Sequence, residues 1–144
     1  MTDAAECRTY GYDNSKLQAI PDAVVSPSQT HQVQALVEFC RNHQIALTAR
    51  GRGTGTTGAT VPVEGGVVVS FERMNRILEI NTDNWHCVIE PGVTAEQLQR
   101  ELAGHNLRAM LPFGIHPKRS VLSSYLERDP AVASASFEYG NELI

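Results

Sequence analysis

A chain of 144 residues is one domain's worth of sequence, long enough to bury a sizeable core, and its 42% hydrophobic and 19% charged content is that of a soluble globular protein. A formal charge of -4, with the basic residues scattered, argues against a nucleic-acid binder, and no apolar run approaches a membrane span. Cys7, Cys40 and Cys87 are odd in number and widely spaced, so they read as reduced thiols of a cytoplasmic protein and not as a disulfide frame or a metal site. The start, Met1-Thr2-Asp3-Ala4-Ala5-Glu6, does not read as a signal peptide.

Residues 1–19 are polar and without a clear period, so a loose arm is expected, with a turn of helix near Lys16 to Ala19. Pro21 to Pro27 fences a short apolar run that suits a brief buried strand. A helix follows, with Thr30 as its cap and Val33, Leu36, Val37 and Cys40 at i, i+3, i+4 and i+7 as one apolar stripe. Asn42-His43 ends it, and Ile45 to Ala49 makes a second strand. Strand, helix and strand form a βαβ unit with parallel strands.

Ala49-Arg50-Gly51-Arg52-Gly53-Thr54-Gly55-Thr56-Thr57-Gly58-Ala59 comes next, at the end of a parallel strand, where open α/β sheets bind ligands. Glycine lets the main chain approach a ligand closely. Successive N–H groups in such a loop can cradle an anion, with threonine hydroxyls and the forks of Arg50 and Arg52 as further donors. The simplest ligand is a nucleotide cofactor's pyrophosphate; the plainer reading is a surface turn that binds nothing. A Walker loop is excluded by the missing lysine. Gly53 to Gly58 matches G-x-G-x-x-G, but Ala59-Thr60-Val61-Pro62-Val63-Glu64-Gly65-Gly66 cannot supply the helix that a Rossmann fingerprint needs.

Val67 to Phe71 reads as a third strand. Leu78 and Ile80 alternate with Glu79 and Asn81 in a fourth, and Trp85 to Glu90 returns as the second arm of a hairpin. Thr94-Ala95-Glu96-Gln97 is a capping box, opening a helix with Ala95, Leu98 and Leu102 on its inner face and Gly104 as its stop. Met110 to Pro117 is an apolar, proline-punctuated loop. Ser120 can cap a short helix reaching Leu126, and a late strand is expected within 131–139. The fold class is α+β.

Taken as an ordered series, Pro21-Asp22-Ala23-Val24-Val25, then Ala49 to Gly55, Gly65 to Val69, Arg73 to Ile80 and Val88 to Val93, the chain resembles the FAD-binding domain of FAD-linked oxidases. This is the vanillyl-alcohol oxidase and p-cresol methylhydroxylase superfamily, and the resemblance is nearest to its glycolate oxidase D-subunit and D-lactate dehydrogenase branch, over about residues 20 to 115. It implies a small parallel sheet with helices, then the beginning of an antiparallel subdomain, with FAD between them. In those terms residues 1–19 are an arm, about 20–95 the first subdomain and about 96–144 the start of the second. By similarity Arg50, Gly51, Arg52, Gly53, Thr54, Gly55, Thr56 and Thr57 wrap the pyrophosphate. Pro21 and Val25 lie near the adenine, Gly92 and Val93 approach the nucleotide, and Pro112, Phe113 and Gly114 run past the flavin. Some members tether the flavin to a loop histidine; Arg52 and its neighbours offer none, so the FAD is expected to be non-covalent.

Against the resemblance, Ser120 to Asp129 stands in place of a glycine-rich flavin-contacting segment, and the substrate cap is expected to be missing from this stretch of sequence. Catalytic residues are therefore not identified. The implied activity is oxidation of a small 2-hydroxy acid such as glycolate or D-lactate. The alternative is a truncated, non-catalytic relative or subunit. An open sheet edge near residues 131–139 would favour a homodimer, or pairing with a missing cap or electron-transfer chain. His31, His43, His86, His105 and His116 match no ligand motif, and His116 is the best functional candidate among them, with a structural role the stronger reading. Ser123-Ser124 lacks a nucleophile elbow. Glu79 and Glu90 read as solvated charges, and Trp85 as a cover for the hairpin end.

Overall fold

The structure, a computed structural model, describes residues 1–109 and 116–122. It forms two compact units, Met1–Met74 and Asn75–Ile144. The expected late strand within 131–139, and most of the helix expected to reach Leu126, lie outside the described residues.

The first unit carries α1 (Ala4–Arg8), β1 (Ala23–Val25), α2 (Thr30–Asn42), β2 (Leu47–Arg50) and β3 (Val67–Ser70). All strand pairing is parallel, but β1 and β2 do not touch. β3 lies between them, with Val68 opposite both Val24 and Thr48. A central parallel strand is covered on both faces and so reads as an unbroken apolar run. Val67-Val68-Val69 fits this, and Val68 and Val69 are buried.

Helix α2 begins one residue earlier than its cap pattern suggests. Gln29, extended and without a side-chain cap bond, is the N-cap, and Thr30 is already helical. The side chain of Gln32 instead accepts from the Ser28 N–H at 2.8 Å. Of the expected stripe Cys40 is buried, Val33 and Leu36 are half-buried, and Val37 is exposed.

Residues 1–19 are not a loose arm. Asp3 caps α1 through its Oδ1, which accepts from the N–H groups of Ala5 and Glu6, and Cys7 packs against Val24 and Val68. The Met1 and Val24 main chains exchange hydrogen bonds in both directions. The turn of helix expected near Lys16 is absent, and Lys16 is left-handed with φ 71°. Main-chain tethers leave no hydrophobic period, which is why the sequence reads as unstructured here.

In the second unit β4 (Ile77–Asn81) and β5 (His86–Ile89) form the antiparallel hairpin, followed by α3 (Ala95–Ala103). An irregularity between Ile77 and Glu79 shifts the register. A bulge of this kind reverses the side-chain phase, so Ile77 and Ile80 face the core while Leu78, expected beside Ile80, is 57% exposed. Trp85 does not cover the hairpin end either. It sits in the turn with φ 55° and is 65% exposed. Thr94 caps α3 by accepting from the Gln97 N–H at 3.2 Å, but Gln97 spends its own amide on the Asn75 carbonyl, leaving the capping box one-sided. Ala95, Leu98 and Leu102 are buried as the spacing requires, and Leu98 and Leu102 join Val93 and Val121 in one core cluster.

Glu90 is not a solvated charge. It is 5% exposed and takes Arg76 in a fork, with Oε1 accepting from Nη2 at 2.6 Å and Nε at 3.1 Å while Oε2 accepts from the Arg76 N–H at 2.8 Å. The Arg76 hydrogen bonds hold the Glu90 carboxyl below its ordinary value of 4.5. A depressed folded-state value means that the pair stabilises the hairpin above the unfolded-state value and loses that contribution as pH falls through the folded one. Trp85 fluorescence, reporting on this hairpin alone, should show an unfolding midpoint that drops on acidification. In Glu90→Gln the midpoint should be lower at neutral pH and much flatter with pH. An equally steep profile in the variant would assign the acid sensitivity elsewhere.

Candidate functional site

The glycine loop leaves the carboxyl end of β2 and travels through turns, without a helix, to β3. The absent helix removes the Rossmann reading. The stretch before β1 braces the loop at several points. Asn14 donates its N–H to the Gly55 carbonyl at 2.8 Å and its Nδ2 to the Thr54 carbonyl at 3.1 Å. Asp13, itself buried, accepts from Thr60 Oγ1 at 3.3 Å and from the Ser15 N–H at 2.8 Å. Arg50, 6% exposed, turns its guanidinium back into the protein. Nη1 donates to the Tyr12 carbonyl at 2.7 Å, and the Tyr10 ring lies 5.7 Å from Cζ. Burial pushes the Arg50 guanidinium below its ordinary value, with Glu72, Tyr12 and Asp13 opposing the shift.

The loop leaves a run of donors unclaimed. Among the described residues, the main-chain N–H groups from Gly51 through Thr57 donate to no protein acceptor. Buried Arg50 Nε, Arg52 Nε and Thr54 Oγ1 likewise have no partner. Leaving a buried polar group such as Arg52 Nε or Thr54 Oγ1 without a partner costs about 1–3 kcal/mol, so each calls for an ordered water, an ion or a ligand. Each of these groups is a donor, Thr54 being able to serve as either. The loop therefore fits an acceptor-rich anion. Gly53 keeps it open: a Cβ there would overlap the Arg50 guanidinium.

Arg50 to Thr57 are thus brought together in the first unit, where Pro21 is buried beside β1 and Val25 is a partly exposed residue of it. Gly92 and Val93 belong to the second unit. Val93 puts its side chain in the core, its N–H on the Glu90 carbonyl and its carbonyl under the Val121 N–H. Pro112, Phe113 and Gly114 lie outside the described residues. Tyr12, Asp13 and Asn14 escaped sequence reasoning; the one signal was the run Asp13-Asn14-Ser15, residues that favour turns by bonding nearby main chain.

Other candidates carry less. No cluster of metal-ligating side chains occurs among the described residues. His116 is exposed and uses Nδ1 to accept from the Lys118 N–H. A cavity of about 330 Å³ in the second unit is lined mainly by apolar groups, including Ile80, Cys87, Leu98, Leu102 and Leu107. Burial pushes the Cys87 thiol up, away from the thiolate that chemistry would need. Among the described residues no helix is long and apolar enough to cross a membrane.

A family model described as an FAD binding domain matches residues 21–140. The chain belongs to this family. FAD is accordingly the cofactor of the domain. Among curated relatives, D-2-hydroxyglutarate dehydrogenase of Stutzerimonas stutzeri is 44% identical over 101 residues, covering 69% of this chain and 22% of the relative. Glycolate oxidase subunit GlcD of Bacillus subtilis is 36% identical over 99 residues, covering 68% of this chain and 21% of the relative. The chain thus spans about a fifth of the length of the curated relatives that it matches. Among solved structures, p-cresol methylhydroxylase with substrate bound superposes with a TM-score of 0.69 at 27% identity, over 82% of this chain and 24% of that one. The α+β architecture, a parallel sheet with helices and then an antiparallel hairpin, is that of the p-cresol methylhydroxylase type.

Proposed function

We propose that main-chain amides from Gly51 to Thr57, with Arg52 and Thr54, hold the diphosphate of a non-covalently bound FAD. The protein would serve an oxidoreductase acting on a small 2-hydroxy acid. The observation that carries this is the run of unclaimed donors, because a diphosphate brings several acceptor oxygens and no obligatory donor. Arg50, facing inward, shapes the loop from behind and adds its charge. Pro21 and Val25 are assigned to the adenine end, Gly92 and Val93 to a second approach to the nucleotide, and Pro112 and Gly114 to the flavin's flank. When bound, the flavin supplies the redox chemistry, and this chain's task is to hold and orient it. The substrate class rests on the names of the relatives, which act on glycolate and D-2-hydroxyglutarate. The groups that guide substrate protons are assigned to a cap domain or partner chain, and a homodimer or an electron-transfer subunit is proposed as a further association. Free Cys7, Cys40 and Cys87 support a reducing, cytoplasmic setting.

Purified protein should be yellow, or should quench FAD fluorescence on titration. Thr54→Val, which removes the orphan hydroxyl and little volume, should weaken FAD binding roughly tenfold, the worth of one hydrogen bond to a charged group. Unchanged affinity in that variant, together with an unchanged Arg52→Ala, would refute the loop assignment.

A further inference from the structure

We infer that Asn14 is a positioning residue of the flavin site, acting through the peptide planes of the glycine loop; this rests on the diphosphate reading above. A trans peptide is planar, and its carbonyl and N–H point in opposite directions. No peptide bond of the described residues is cis. The Thr54 carbonyl shares a plane with the Gly55 N–H, and the Gly55 carbonyl with the Thr56 N–H. Asn14 takes both carbonyls, through Nδ2 at 3.1 Å and its own N–H at 2.8 Å. The N–H groups of Gly55 and Thr56 are thereby turned away from the arm, and neither is claimed by a protein acceptor among the described residues.

A glycine-rich loop has many conformations of similar energy, so ordering it on binding weakens affinity unless it is ordered beforehand. The arm orders it in advance. Asp13 fixes the far end through Thr60, the Tyr12 carbonyl anchors Arg50 at the near end, and Asn14 sets the middle. Of these, the Asn14 amide bears directly on donor direction. Its loss frees the plane that begins at the Thr54 Cα, so the Gly55 N–H and the neighbouring Thr54 hydroxyl no longer meet one ligand together, and the two residues should be coupled in binding.

The test is a double-mutant cycle on the full chain, with FAD affinity read by fluorescence titration. Asn14→Asp keeps the shape, removes the donor and sets an acceptor against the Thr54 carbonyl. It should weaken FAD binding roughly tenfold. The Asn14→Asp, Thr54→Val double variant should bind no more weakly than the poorer single variant, a coupling that a merely structural arm would not produce. Asn14→Ala, without added charge, should show the same coupling, and it serves in place of the aspartate should that variant melt early without ligand. Wild-type affinity in both Asn14 variants, or losses that multiply in the double variants, would overturn the inference while leaving the diphosphate reading standing. A wild-type chain that takes up no FAD would overturn both.

Discussion

A Gly53→Val chain should fold but lose FAD, with affinity falling by roughly a hundredfold or more. Gly53 sits at φ 62°, where a β-branched residue is a true outlier. Holding it there costs about 1–3 kcal/mol. The new side chain also overlaps the Arg50 guanidinium, which cannot swing away freely because it is buried and bonded to the Tyr12 carbonyl. Either the loop flips at residue 53 or Arg50 leaves its seat, and in both cases the run of amides is broken. At about 1.4 kcal/mol per decade the strain alone approaches the stated loss. Pairing the substitution with Arg50→Ala separates the causes. If displacement of Arg50 is the problem, the double variant should regain part of the affinity; if it regains none, the backbone at residue 53 is responsible. Retained wild-type affinity in Gly53→Val would remove the loop from the site.

The largest stability effect is expected at Gly66, where the chain enters β3. Its φ is 73°, and a Cβ there would drive into the Ala46 carbonyl, backbone that cannot rotate out of the way. That same carbonyl accepts the Val67 N–H at 2.9 Å, while the Gly66 carbonyl accepts from Asp22 and Ala23. Gly66→Ala therefore separates the central strand from both neighbours at once. We expect a loss of about 3 kcal/mol or more, a drop in Tm of about 12–24 °C for a unit of this size. Gly65→Ala is the control. Its φ is 67°, but a Cβ there meets only the Asp22 carboxylate at 3.5 Å. It should pay the conformational strain without the collision, so a calorimetric difference of near zero between the two variants would refute the close approach.

The sequence carried the strands, both long helices and the loop because each announces itself locally. Val67-Val68-Val69 is a buried central strand, Leu98 and Leu102 repeat at helical spacing, and four glycines in eleven residues mark a turn-rich stretch. What it hid was non-local. β3 inserts between β1 and β2, a matter of which edge is free, and period cannot reveal it. Leu78 faces solvent because of one irregularity in the ladder. Glu90 lies buried because Arg76, on the neighbouring chain segment, satisfies it. At the candidate site, donors belonging to the loop were legible from composition. The bracing by Tyr12, Asp13 and Asn14 was not, since it runs through carbonyls common to every residue.

The insertion of β3 has a consequence for how the protein is made. A ribosome releases β1, α2 and β2 before Val67 exists, and until then neither edge strand has a partner along its length. The nascent first half can form α1 and α2 but no ladder. Sheet assembly waits on the glycine loop having been synthesised and folded back, so premature termination anywhere before β3 should yield a chain whose amides exchange with solvent almost freely outside its helices.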